Sequence, residues 1–236
     1  MNAEEQIRSL YSALAQAYGP QHWWPAKTRF EMIVGAYLTQ NTSWKNVERA
    51  LANLRRAGVL NVNGIRNISQ EDLEQLLRPS GYFRQKAARL KNFVGYLDQN
   101  YRGSLHRMFA EPTMRLRAEL LALNGVGPET ADSILLYAGN HPIFVVDAYT
   151  RRILDRHHIL PFTAKYEEAR RIVEQTFASE SPAKRTPHFN EFHALIVSVG
   201  KKHCNSTAKC EGCPLREYLP ESKHKISRFP TLLRSE

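Results

Sequence analysis

What most limits the fold is the spacing of the apolar residues, which is helical almost from end to end. Residues 3–18 carry Ile7, Leu10, Tyr11, Leu14 and Ala17 at intervals of three and four. Residues 29–39 are apolar on all sides, as in a buried helix. The next segment opens at Ser43, an N-cap residue type, carries Val47, Leu51 and Leu54 on one face, and ends at Gly58. Ser69 opens another, with acids in its first turn. Residues 84–97 place Ala87, Leu90, Phe93, Val94 and Leu97 inward, with Arg84, Lys86, Arg89 and Lys91 on the wetter side. Further helical patterns cover 113–123, 128–138, 147–156, 165–178 and 188–199. Ile143–Val146 is the one β-like run, too isolated to build a sheet. The pattern predicts an all-α protein, with its mobile pieces at 179–187 and beyond Pro214.

Composition narrows the class. At 236 residues the chain is long enough to bury a core, and 42% apolar with 24% charged residues excludes wholesale disorder. No run approaches the roughly 18–20 apolar residues of a membrane span, and the acidic, polar N-terminus lacks a secretory signal plan, so the expectation is a cytoplasmic protein. Lys and Arg number 33 against 23 Asp and Glu, a net charge of +10. Such a surplus favours a polyanion, nucleic acid or an acidic membrane surface, as partner. The three cysteines, Cys204, Cys210 and Cys213, lie within ten residues, which argues for a metal-binding loop or its remnant over a disulfide framework.

The stretch from Leu121 to Leu154 is the most informative. A helix ends, Asn124-Gly125-Val126-Gly127 follows, and a second helix starts with Pro128. Glycines flanking Val126 allow a tight turn with positive φ. Val126 plugs the helix pair, and backbone N–H groups at the helix start suit a phosphate oxygen without reading sequence. A plain helical hairpin has the same pattern. Twenty residues after Gly127, Asp147 opens a new helix behind a loop holding Gly139 and Pro142.

That combination resembles the helix-hairpin-helix, Gly/Pro-Asp superfamily of DNA glycosylases. The likeness runs from about residue 20 to Cys213. It includes Leu38-Thr39-Gln40-Asn41-Thr42, Ser80 to Ala87, and Phe192 to Ile196. The best match is the endonuclease III branch. The resemblance implies two helical lobes around a DNA-binding cleft, a central lobe of residues 22–140 and a second of 1–21 with 141–236. It implies Asp147 as the catalytic carboxylate and Gln40 as the residue filling the gap left by a flipped nucleotide. Duplex DNA containing a damaged base is the implied partner, met by a monomer at the nucleoid and not at a membrane.

Two positions depart from the branch. Bifunctional members carry a lysine two residues beyond the second hairpin glycine, which forms a Schiff base with the sugar and cleaves the strand. Here that position is Glu129, which cannot form an imine. Nothing in the spacing of Lys27, Lys45 or Lys86 ties them to that role. Asp132, the second acid of this helix, reads as structural or solvent-facing. Endonuclease III-type proteins usually hold a [4Fe-4S] cluster on four thiolates. This loop has three, and His203 adjoins Cys204 too closely to chelate well, leaving His224 as the other candidate. A cluster, a zinc ion and a metal-free loop all remain open.

All three tryptophans, Trp23, Trp24 and Trp44, fall within 22 residues. Each alone reads as core; together, beside Gln40, they suit a pocket for a flipped base. This arrangement resembles the bacterial 3-methyladenine DNA glycosylases of endonuclease III type. The expected chemistry is monofunctional hydrolysis of an alkylated purine, with no cofactor. The competing readings are a bifunctional glycosylase/lyase for oxidised pyrimidines and a non-catalytic DNA-binding hairpin.

Overall fold

The computed structural model describes residues 2–21 and 26–220. Helices α1 (Ala3–Tyr18), α2 (Arg29–Leu38), α3 (Trp44–Arg56) and α4 (Val62–Asn67) come first. They are followed by α5 (Gln70–Leu77), α6 (Phe83–Tyr101), α7 (Leu105–Met108) and α8 (Thr113–Leu121). The last four are α9 (Pro128–Ser133), α10 (Ala148–Arg156), α11 (Tyr166–Thr176) and α12 (Pro182–Lys202). Among the described residues there is no strand, so the chain is all-α. No helix among them is long and apolar enough to cross a membrane.

The chain forms two compact units, Trp24–His141 and Met1–Trp23 with Pro142–Glu236. In the first, α2 is buried nearly all round, through Phe30, Ile33, Val34, Tyr37 and Leu38. Its core continues through Leu54 of α3, Leu73 and Leu77 of α5, Leu90 and Phe93 of α6, and Leu116 and Leu120 of α8. In the second unit, Ile7, Leu10 and Leu14 give α1 its apolar stripe. An aromatic cluster of Tyr11, Phe144, Phe177, Phe189 and Phe192 fills the middle, largely edge-to-face.

Local chemistry sets the helix starts. Asn2 and Glu5 form a reciprocal capping box on α1, with both bonds at 2.9 Å. Thr28 caps α2 and Ser69 caps α5. Ser43 occupies the cap position of α3 without a side-chain bond.

The structure corrects one reading, at Lys86, and fills in two others. Ile143–Val146, expected to be too isolated to build a sheet, is buried and forms no strand. Side chains take the place of a ladder there: Phe144 N donates to Glu174 Oε1 at 2.9 Å and Val146 N to the Tyr166 hydroxyl at 3.3 Å. The stretch 179–187 is partly helical, because Pro182 starts α12 at a position where its missing N–H costs nothing. Helix α12 then runs through Pro187. On α6, Lys86 is not on a wet face. It is 1% exposed, and Nζ donates to the carbonyls of Ser80 (2.7 Å) and Leu38 (3.0 Å). Burial, aided by the nearby Arg89 cation, brings its pKa down to about 8. Lys91 is likewise tied to the carbonyls of Arg66 and Ile68.

Candidate active site

The hairpin is α8, a turn, and α9, which continues as a π-helical turn over Ile134–Ala138. Val126 N closes the turn onto Leu123 O at 3.1 Å, and Val126 is buried while Asn124 and Gly127 are exposed. The two glycines differ. Gly125 has φ +77°, and a Cβ there would collide with the Arg89 guanidinium. Gly127 has φ −89° and open space where a Cβ would point, so positive φ is not its reason for being glycine. What it offers is room for a close approach. Arg117 on α8 and Asp132 on α9 lock the two helices through a buried bidentate pair at 2.6 and 3.1 Å. Asp132 is therefore structural and fully buried, not solvent-facing.

Gln40 lies in the turn behind α2, next to Asn41 in the left-handed region. Its Nε2 donates to Gly125 O (2.9 Å) and Thr130 Oγ1 (3.0 Å), and its Oε1 accepts from Arg89 Nη1 at 2.6 Å. Arg89 thus connects α6 to both the hairpin and Gln40. A pocket of about 410 Å³ opens here, lined by Thr39, Gln40, Asn41, Arg89, Glu129, Thr130 and Ser133 beside Ala36. The structure brings Gln40 and Glu129 together in it. Trp44 is not in its lining; it starts α3, half-buried, with its indole N–H donated to Glu48 Oε1 at 3.0 Å. Trp23 and Trp24 lie outside the described residues.

Asp147, in the other unit, is the N-cap of α10. Its Oδ1 accepts from Thr150 N (2.8 Å) and Thr150 Oγ1 (2.9 Å). Its Oδ2 faces His193 Nε2 at 3.6 Å. Burial alone would raise the Asp147 pKa, but His193 and the Thr150 bonds outweigh it and hold the carboxyl below its ordinary value. The result is a carboxylate, poised to stabilise positive charge.

The three free cysteines are one thiol short of a four-thiolate set. Cys204, Cys210 and Cys213 border a cavity of only about 20 Å³. Among the described residues no group of three or more His, Cys, Asp or Glu is placed to hold a metal ion. Burial pushes the Cys204 and Cys213 thiols up. Arg156 of α10 ties the loop, donating to Cys204 Sγ (2.8 Å), Asn205 O (2.7 Å) and Ser206 O (3.0 Å). His203 Nδ1 is engaged with Lys209 O at 3.0 Å, and His224 lies outside the described residues.

Sequence reasoning overlooked Arg89, the burial of Lys86, and the neighbour of Asp147, His193. A signal existed for Lys86, which sits four residues before Leu90 on the buried stripe of α6. For the contacts of Arg89 and His193, which are long-range, spacing carries no signal.

These features agree with what known proteins show. The family of HhH-GPD superfamily base excision DNA repair proteins matches residues 34–179. The chain is 46% identical over 219 residues to a putative DNA repair glycosylase of Methanocaldococcus jannaschii, covering 92% of this chain and 97% of that one. Among solved structures, the H. pylori 3-methyladenine DNA glycosylase bound to 1,N6-ethenoadenine matches with a TM-score of 0.73 and 29% identity, over 86% of this chain and 98% of that one. A trapped covalent endonuclease III–DNA intermediate shares the fold, with a TM-score of 0.75 and 24% identity over 94% and 98%. A helical hairpin whose second glycine precedes an N-capping aspartate by twenty residues, in a chain with these relatives, belongs to the HhH-GPD superfamily of base excision repair DNA glycosylases, in its endonuclease III branch.

Proposed function

We propose that the protein is a monofunctional DNA glycosylase that releases N-alkylated purines, 3-methyladenine among them, from duplex DNA by hydrolysis. The observation that carries this reading is the pocket beside the hairpin. Glu129 stands in its lining where a lyase would present a lysine, and no lysine is among the lining residues. Lys86 is pinned to two buried carbonyls, and Lys27 and Lys45 are exposed residues outside that lining. An imine needs a free amine beside the sugar, and the lining of this pocket offers none for β-elimination.

The leaving group fits the single carboxylate. A neutral base departs poorly without a proton donor. An N-alkylated purine is already cationic and needs no general acid. Asp147 would stabilise the oxocarbenium-like sugar and orient the attacking water. The step needs no cofactor, and none is routed through the cysteine loop. Trp23, Trp24 and Trp44 are the proposed aromatic faces for the flipped cationic base, a contact worth about 0.5–2 kcal/mol once desolvated. The likeness to the 3-methyladenine glycosylase supports this substrate class. The protein would act as a monomer, with the hairpin backbone holding phosphate and Gln40 entering the gap in the stack.

The test is base release from methylated duplex DNA, run beside borohydride trapping on abasic duplex. The expected result is free methylated purine, an uncut abasic strand and no covalent adduct. Efficient trapping by the native protein would overturn the monofunctional reading in favour of the glycosylase/lyase.

A further inference from the structure

The two oxygens of Asp147 are held by different elements. Oδ1 is occupied within α10, by the N–H and hydroxyl of Thr150. Oδ2 faces across to α12, where His193 Nε2 stands 3.6 Å away. His193 is the one buried titratable side chain between Phe189 and Val199; the other buried residues there are Phe189, Phe192, Ala194, Leu195, Ile196, Val197 and Val199. Its ring stands edge-on to Phe144, with centroids 6.3 Å apart, so aromatic packing fixes its direction.

The other ionisable groups nearby are committed elsewhere. On α10, Arg151 donates to the carbonyls of Phe162 and Ala164, and Asp155 accepts from Phe162 N. On α11, the Tyr166 hydroxyl accepts from Val146 N, and Glu174 is shared between Phe144 N and Arg170. On α12, Glu191 accepts from Gln21 N. The imidazole is thus the side chain that faces Oδ2.

We infer that His193 is a positioning residue for base excision, acting through Asp147 by fixing the direction of its Oδ2 in a buried site. This rests on the reading of Asp147 as the catalytic carboxylate. An aspartate so enclosed loses hydration, which favours its neutral acid form. The acid form cannot stabilise a developing oxocarbenium, so the fraction ionised limits the rate at low pH. A ring nitrogen held facing Oδ2 and the two Thr150 bonds at Oδ1 favour the ionised form instead. A His that only packed could be replaced by an apolar residue with no change in pH dependence.

The experiment is single-turnover release of 7-methylguanine from methylated duplex DNA, from about pH 4 to 8, with the enzyme-free rate subtracted. Native protein, His193→Leu, His193→Asn and Asp147→Asn are compared, with circular dichroism to establish folding. For His193→Leu the acid limb should move up by about one pH unit or more, with the plateau rate down about 10–100-fold. His193→Asn keeps a polar donor at this position but not the ring that packs on Phe144, so its limb should lie between those of the native protein and the leucine variant. It also serves should the leucine variant not fold. Affinity for undamaged duplex should stay within a few-fold. A native acid limb in either folded variant, with Asp147→Asn inactive, would overturn the role of His193 alone. Full activity of Asp147→Asn would overturn the reading of Asp147 and the role of His193 with it.

Discussion

Two acids begin helices in this protein, and they are built differently. Asp147 is an N-cap with one oxygen bonded to Thr150 and the other facing His193 at 3.6 Å. Glu129 follows Pro128 in the first turn of α9 and is exposed at the rim of the pocket. A carboxylate that must act on a transition state has to be held still and kept charged, and holding it costs desolvation that the surroundings must offset. A carboxylate that only complements a helix dipole needs neither. The contrast supports the proposed division, with chemistry at Asp147 and, at Glu129, a side chain that cannot form an imine.

The largest effect should come from Asp147→Asn. Asparagine keeps an oxygen for the Thr150 N–H, so the cap and the fold should survive. Losing the charge should slow base release by about 10²–10⁴-fold, roughly 3–5.5 kcal/mol of transition-state stabilisation. Single-turnover kinetics on methylated duplex measures this; a rate near native would erase the contrast between the two acids. The sign with pH follows from the lowered pKa of Asp147. Its contribution to stability is present above the unfolded value of about 3.9 and is lost as pH falls through the folded value. Acid unfolding of the asparagine variant should lack that component.

The hairpin depends on a buried pair that takes no part in chemistry. Asp132→Ala removes the bidentate acceptor of the Arg117 guanidinium, whose side chain is only 7% exposed. The cost should be about 3–5 kcal/mol in urea unfolding. Replacing both partners, as Arg117→Met with Asp132→Leu, should recover most of the loss, since two apolar groups leave no unpaired charge. A single variant as stable as the native protein would show that the pair does not hold α8 to α9.

How much of this was legible in the sequence depends on range. The helices of the apolar runs were legible because their period is local: Ile7, Leu10 and Leu14 are all buried, as their spacing requires. The hairpin turn and the capping position of Asp147 were legible for the same reason, since Gly, Pro and Asp each have a distinct local conformation. The Cys204 loop was legible as a departure, but its contact with Arg156 was not, because that contact spans 48 residues. Lys86 was misread through its charge: a lysine can follow the buried period if its amine finds two carbonyls. Arg89 and His193 gained their places only from packing.

The two hairpin glycines allow a finer division between folding and binding. At Gly125 the positive φ alone should cost an alanine about 1–2 kcal/mol, and its Cβ would displace Arg89 from Gln40. Gly125→Ala should therefore lower the melting temperature and weaken duplex affinity together. At Gly127 the backbone is one that any residue adopts, with open space around the Cβ position. Gly127→Val should leave the melting temperature near native and still weaken binding to all duplex sequences alike, by about tenfold or 1.4 kcal/mol. Melting curves and fluorescence anisotropy on undamaged duplex separate the two. Equal behaviour of both variants would mean that neither glycine is kept for DNA.

The smallest expected effect is at Glu129. As an exposed first-turn acid it favours the start of α9 by about 0.3–1 kcal/mol, and glutamine removes that charge while keeping the side chain's size. Glu129→Gln should therefore keep its fold and release methylated purine within a few-fold of native. The contrast with Asp147→Asn should be at least about tenfold even at the low end of the latter's range. Should Glu129→Gln instead lose as much as Asp147→Asn, the pocket acid would be needed for the chemistry and hydrolysis would use two carboxylates. Glu129→Lys then extends the test in the other direction, because it restores an amine at the one position where the branch uses it. Borohydride trapping by that variant, with none by the native protein, would place the sugar of a bound abasic site beside residue 129 and account for the missing lyase step by this single side chain.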